Sequence, residues 1–493
     1  MKNNSVIKPI IIMMTAALFL AFCYDLSTET IRCGSYIILF FCTAIIAFCF
    51  RKELSLTPPA AVILAGMFIK LTYVIYTPVW CRQHDVIDFG AGEGHAAYME
   101  YILAHKALPD FDPRSVWAFF QPPLHHLVSA AWMWFNLRLG NGEGRMHKNV
   151  QILPLVYMCV VAYLTFLICK ELNMRSKGIM VTMLVTSFSP IFIMMSGSIN
   201  NDALSVMLSV LALYLAIIWY MYPATGKIAL LAISIGLAMS AKLSAGLVAP
   251  PIAVLMIYKI VKDTDRFADK KRLISYILEL IPFALIVFPL GLWWPVRNKI
   301  LFDMPAGYIP EVGEHLEKTG FVSSILDVRT ASPFLYMKSK GYVYDEYNLL
   351  LATLKSSLFG EGEYENVSAV LTYTGWALLF IAVIVIVLQF VAMIRTCASS
   401  EAGPDKGIKI FLCTAVATFV VGYMIFALAG RNLSAMDFRY SAAAVSLLSV
   451  FLGLWYDRLE VLSRKTTRAV VLASSIAFAV VSTVFYILVG LYC

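Results

Sequence analysis

The chain has 493 residues, of which 60% are hydrophobic and only 14% charged, against about 45–50% and about 25% in soluble domains. That excess of apolar surface excludes a soluble globular domain, a disordered chain and a disulfide-built scaffold. The net charge of +8 requires no nucleic acid partner, because the cytoplasmic loops of any multispan protein collect Lys and Arg.

A membrane-spanning helix needs about 20 mostly apolar residues. In chain order such runs fall at 7–23, 36–50, 60–80, 149–169, 178–195, 203–221, 227–241, 243–258, 273–294, 367–394, 408–429, 440–456 and 469–491, about thirteen in all. The first follows Lys2 and Lys8, and no A-x-A-like site comes after it, so it reads as an uncleaved helix and not as a signal peptide. The ten cysteines contain no CxxC pair. Most sit in apolar runs, where cysteine behaves as a small hydrophobe. Cys23 and Cys33 are placed to pair outside the membrane.

Loop charge decides two assignments. If 122–139 crossed the bilayer, Lys170, Arg175 and Lys177 would fall in a short external loop, against the positive-inside tendency. Its apolar residues Leu124, Leu127, Val128, Ala131, Trp132 and Phe135 form one helical stripe, and His125, Ser129, Asn136 and Arg138 lie off it. The segment therefore reads as an amphipathic helix lying in the membrane surface, with Trp132 and Trp134 at the interface. The run 227–258 is too long for one span. Taken as one, it would leave Lys259, Lys262, Arg266, Lys270, Lys271 and Arg272 outside. Two short helices turning at Lys242 keep those cations inside. The resulting expectation is an all-α polytopic membrane protein, N-terminus inside and C-terminus outside. It is one membrane domain over 1–493 with two external segments, 81–148 and 295–366. No linker or internal repeat divides it.

All seven histidines fall outside in this topology, and His84, His95, His105, His125, His126 and His147 share the first external segment with Asp85, Asp88, Glu93, Glu100, Asp110, Asp112 and Glu143. An external loop also gathers polar residues merely for solvation, so each one singly is a weak signal. Asp85, five residues after Trp80, stands where the third run leaves the bilayer. A carboxylate there meets a lipid-borne substrate and suits a general base. Asp88 is the next acid along. Glu93 and His95 open a helical stretch, GEGHAAYMEYILAHK, in which His95, Tyr98, Ile102 and His105 share a face. Asp85, Asp88, Glu93 and His95 are chemically able to ligate a divalent metal, but their spacing matches no metal motif, so no cofactor is expected. Lys242, Arg297, Arg431 and Arg439 gather at the outer face, with Asn200, Asn201 and Asp202 beside them and Asp437 next to Arg439. Arginine grips phosphate bidentately and lysine as a point charge. Each cation alone also fits headgroup snorkelling, and Asp437 is placed to pair with Arg439. A phosphate at a membrane surface belongs to a lipid.

The residues His84–Asp85–Val86, then GHAAYMEYI with LPDFDP, FFQPPLHHL, SPIF with SINND, AKLSAG, WWPVRN and DFRY, in that order over about 60–445, resemble the GT-C glycosyltransferases. The resemblance is to the protein-mannosyltransferase and aminoarabinose-transferase-like branch, glycosyltransferase family 39. It implies a bacterial cell-envelope enzyme that takes a sugar from a polyprenyl-phosphate donor at the outer leaflet and inverts the anomeric carbon. The family's loop acid matches Asp85, and its phosphate-gripping arginines match Arg297 and Arg439. On that reading Asp88, His95, His125, Asn201, Asp202, Lys242, Arg297, Asp437 and Arg439 line the substrate site. The acceptor is a protein, a lipid or a cell-wall polymer. Two spans precede the loop-bearing helix here, and the second external segment is small for an acceptor-recognition domain. Two rival classes share the lipid: a transporter or flippase, and a polymerase or ligase of polyprenyl-linked glycans. A transporter would place acids at midplane, where the spans offer Lys70 and Glu279.

Overall fold

The computed structural model describes residues 57–80, 86–310, 320–328, 331–334, 337–338, 343–344, 348–360, 362, 364–399, 403–430 and 433–493. The apolar runs 7–23 and 36–50, Cys23, Cys33, His84, Asp85 and Arg431 lie outside the described residues.

The architecture is all-helical. In chain order the elements are α1 (Pro58–Tyr76), α2 (Gly94–His105), α3 (Leu124–Arg138), α4 (Glu143–Asn149), α5 (Ile152–Glu171), α6 (Ser176–Ser187), α7 (Pro190–Met195), α8 (Asp202–Met221), α9 (Thr225–Ala241), α10 (Ala249–Asp263), α11 (Lys270–Phe302), α12 (Ser323–Leu326), α13 (Leu349–Phe359), α14 (Ala369–Cys397), α15 (Lys406–Gly430), α16 (Ala443–Val461) and α17 (Lys465–Tyr492). The strand pairing among the described residues is a two-residue antiparallel ladder, Met337–Lys338 on Val343–Tyr344. Among the described residues, eight helical stretches are long and apolar enough to cross a membrane by length and composition, and the chain is a multi-pass membrane protein. Every apolar run from 60–80 onward is helical. One core of Leu, Ile, Val, Ala and aromatic side chains runs through α1, α5–α10 and α13–α17. A disulfide joins Cys397 to Cys413 across α14 and α15.

Three boundaries depart from the sequence expectation, each for a local reason. The run 178–195 is not one helix. It breaks between Ser187 and Pro190, because Pro190 has no N–H for the ladder and disfavours helical geometry in the residue before it. Lys70, buried on α1, fills part of the break by donating to the Ser187 carbonyl at 2.5 Å. Gly66 permits the approach, since a Cβ there would collide with Ser187. Second, α11 does not stop near 294 but runs to Phe302 through Pro282, Pro289 and Pro295, so Arg297 stands on a helix. Third, α16 is preceded by two short 3-10 turns, Leu433–Met436 and Phe438–Ser441, where a span from 440 was expected.

The two assignments made on loop charge agree with the fold. α9 ends at Ala241, Lys242 is extended at φ −155° and ψ 125°, and a 3-10 turn, Leu243–Val248, leads into α10. α3 forms as an amphipathic helix with its polar face inward. His125, His126, Ser129 and Asn136 are buried against the protein, whereas Leu127, Val128, Trp134 and Phe135 are exposed. That is the arrangement of a helix whose apolar stripe meets lipid. On α2, His95, Tyr98 and Ile102 are buried as one face, but His105 is exposed and turns back to the Tyr101 carbonyl at 2.9 Å.

Candidate active site

Four charged side chains meet at the end of the bundle where α8 and α9 face the loops. Asp202 is the first residue of α8. One of its carboxylate oxygens accepts a hydrogen bond from Lys242 Nζ, and the other lies 3.6 Å from an Arg439 guanidinium nitrogen. Asp437 caps the turn that bears Arg439 by accepting the Arg439 N–H at 2.8 Å, and its other oxygen lies 3.7 Å from Arg439 Nε. Asp202, Asp437 and Arg439 are buried, and the Lys242 side chain is nearly so. Two cations and two carboxylates therefore neutralise one another in a low-dielectric place, where an unpaired charge is expensive.

The local chain explains why each reaches the site. Lys242 stands in the extended residue between two helices, so its side chain is free of both ladders. Arg439 stands in a 3-10 turn, Asp202 at a helix N-terminus where the macrodipole favours an anion. Tyr440 lies beneath both cations, with Lys242 Nζ 4.7 Å and the Arg439 guanidinium 4.9 Å from its ring centroid. Its hydroxyl accepts from Arg439 at 2.9 Å. Ser356 on α13 fixes the same turn from behind, accepting from the Phe438 N–H at 2.9 Å.

A polar layer joins this cluster to the first external segment. Asn201 donates to the Ala241 carbonyl at 2.8 Å and to Gln121 Oε1 at 3.4 Å. His125 Nε2 donates to the Ile199 carbonyl at 2.7 Å. Burial pushes the His125 imidazole down to about 4, so it is neutral at pH 7 and serves as a hydrogen-bond group. His95 Nδ1 and His126 Nε2 are 2.8 Å apart, both rings are buried, and His126 stacks on Tyr98 at 4.2 Å. Burial, then the neighbouring imidazoles, hold His126 well below the usual histidine value. The Ala96 N–H donates to the Val86 carbonyl at 3.2 Å, which pins the start of α2 to the chain just after Asp85.

The other expected residues stand elsewhere. Arg297 does not join the four-charge cluster. Its guanidinium donates to the Pro109 carbonyl and, at 2.8 Å, to Asn298 Oδ1, and it lies over the Trp294 ring at 4.9 Å. Asp88 is exposed and accepts the Phe89 N–H at 2.8 Å in a surface turn. Glu93 is exposed at the N-cap of α2. Among the described residues, no three His, Cys, Asp or Glu side chains stand together as a metal set. Tyr440, Gln121, His126 and Trp293 belong to the site or its walls and carried no assignment from sequence. Gln121, His126 and Tyr440 stand at or near a junction of helix and loop, whereas Trp293 lies inside α11.

The all-helical membrane fold, with the ionic cluster at its loop-bearing end, has solved counterparts. Residues 123–294 match the family model described as dolichyl-phosphate-mannose-protein mannosyltransferase. Among solved structures, the chain is similar to the archaeal oligosaccharyltransferase AglB from Archaeoglobus fulgidus. In complex with an inhibitory peptide and a dolichol-phosphate, AglB gives a TM-score of 0.50 at 12% identity over 90% of this chain and 56% of its own. Tethered to an acceptor peptide, it gives 0.51 at 14% identity over 90% and 56%. ArnT from Cupriavidus metallidurans bound to undecaprenyl phosphate gives 0.49 at 12% identity over 93% and 77%. The chain thus spans a little over half the length of AglB. No curated protein matches it.

Proposed function

We propose that this protein is a membrane glycosyltransferase. It moves a sugar from a polyprenyl-phosphate-linked donor to an acceptor at the extracytoplasmic face, with inversion. The observation that carries the reading is the Lys242–Arg439 pair, held side by side over Tyr440 at the loop-bearing end of a GT-C fold. Inverting transfer needs a base for the acceptor, a direct attack on the anomeric carbon, and positive charge for the leaving phosphate. Asp85 is the base. As it takes the acceptor's proton, the new glycosidic bond forms and the bond to phosphate oxygen breaks. Lys242 and Arg439, preorganised by Asp202 and Asp437, take the charge that develops on the phosphate. Arg297 adds positive charge from α11. The charge on the leaving group is met by these side chains, so the reaction needs no metal.

The test is a transfer assay on the purified protein with a synthetic polyprenyl-phosphate sugar and donor affinity measured separately. General-base catalysis contributes about 10²–10⁴-fold. Asp85→Asn should lose at least that much rate and keep donor affinity, whereas Arg439→Ala should weaken the donor first. Asp85→Asn retaining more than about a tenth of the rate places the base elsewhere. EDTA should leave the rate unchanged. Complete loss, restored by a single divalent metal, overturns the metal-free mechanism.

A further inference from the structure

We infer that Gln121 and Trp293 form the subsite for the donor's sugar ring. The inference rests on the reading of Lys242 and Arg439 as the phosphate grip. A glycosyl phosphate carries its sugar one bond from the phosphate, so the ring must lie beside those cations. Two half-buried side chains reach the Lys242 turn from outside it. Asn201 donates both to the carbonyl of Ala241, the residue before Lys242, and to Gln121 Oε1. Trp293 Nε1 donates at 3.1 Å to the hydroxyl of Ser240, one residue further back. Asn201 and Ser240 are buried and already bonded. Gln121 and Trp293 each keep an accessible surface, and among the described residues the Gln121 amide N–H has no partner.

The chemistry of the pair fits a sugar. An amide donates to one hydroxyl and accepts from another. An indole face covers the apolar C–H face of a pyranose and adds contact area without a charge. The two walls are fixed to each other. The Gln121 backbone N–H, distinct from its side-chain amide, closes a turn onto the Ala118 carbonyl at 3.1 Å, Ala118 holds a left-handed φ of 71°, and Pro122 follows. The Phe120 carbonyl accepts from Trp294 Nε1 at 3.0 Å, which ties that turn to α11. The chain segments that carry the amide and the indole are therefore tied to each other.

The product of transfer, bare polyprenyl phosphate, lacks the sugar, and this separates the subsite from the phosphate grip. Affinities of the full-length protein in nanodiscs are measured for bare short-chain polyprenyl phosphate and for the same lipid carrying glucose, mannose, galactose or cationic 4-amino-4-deoxyarabinose. The wild type should bind at least one glycosylated lipid more tightly than the bare lipid. Gln121→Leu and Trp293→Leu should each reduce that sugar-dependent increment by about tenfold, within the range of one or two hydrogen bonds. Both should leave the bare lipid within about twofold. Trp293→Phe, which loses the bond to Ser240 but keeps an aromatic face, should retain most of the increment. Equal losses for glycosylated and bare lipid, or unchanged sugar binding, overturns the subsite. Failure of the wild type to bind bare polyprenyl phosphate overturns the phosphate reading beneath it.

Discussion

The two ends of α8 carry the same kinds of residues under different conditions. At its first residue, Asp202 meets Lys242 and Arg439 in a buried cluster over Tyr440. Near its last, the Tyr220 hydroxyl donates to Asp405, which also pairs with Lys262 at 3.1 Å, while Asp263 pairs with Lys259 at 3.1 Å and accepts from Tyr276 at 2.6 Å. Both ends are ionic and aromatic. The far end is half-exposed, with Lys262 and Asp405 open to solvent, and its partners are helix termini that would meet there in any case. At the near end the charges are largely buried and come from a helix start, an extended residue and a 3-10 turn, which only the tertiary fold brings together. Burial, more than residue type, separates a clasp from a site.

That contrast predicts unequal responses. Asp202→Ala leaves Lys242 and Arg439 buried without their shared carboxylate, and breaking a buried pair costs about 3–5 kcal/mol. The variant should lose most of its folded yield, read by size-exclusion profile and melting temperature in detergent. Acidification comes next. His125 binds its proton only near pH 4 when folded but at about 6.5 when unfolded. Between those values the unfolded chain holds the extra proton, so stability falls as pH drops, by about 1.4 kcal/mol per pH unit for that one residue. His126 acts in the same direction. Melting temperature should decline steadily from pH 6.5 to pH 4.5, and His125→Gln should flatten the slope. The smallest effect belongs to the far end. Asp405→Asn breaks a half-exposed pair of the kind worth about 0–1 kcal/mol and should leave transfer unchanged. A loss of activity there comparable to that of Arg439→Ala would erase the distinction between the two ends.

The spans were legible because hydropathy is a local property, and the Lys242 turn because the cations after it, from Lys259 to Arg272, could not all lie outside. α3 was legible as an amphipathic helix from its apolar stripe, and its buried His125 face follows from the same pattern. The break at Pro190 carried a signal in the Ser–Pro step, but the apolar run masked it. What the sequence withheld was partnership. Asp202, Lys242 and Arg439 lie on separate elements, and no periodicity within any of them says that one acid serves two cations. Arg297 was grouped with those cations because α11 was expected to end before it. Three prolines argue for an end there, yet packing against α9 and the bonds of Trp293, Trp294 and Arg297 carry the helix onward.

The length of α11 has a mechanical consequence. Its 33 residues extend about 50 Å at 1.5 Å per residue, against a hydrocarbon layer of about 30 Å. Among the described residues, little of it is buried in the protein. Both ends are moored: Arg272 and Tyr276 to Asp263 at one end, Trp294 and Arg297 to the Phe120 and Pro109 carbonyls at the other. A thicker or thinner bilayer cannot slide such a strut and must bend it, at Pro282, Pro289 or Pro295, where the ladder lacks donors. Trp293 sits between the last two of these joints, so the thickness of the host membrane becomes a dimension of the proposed sugar subsite.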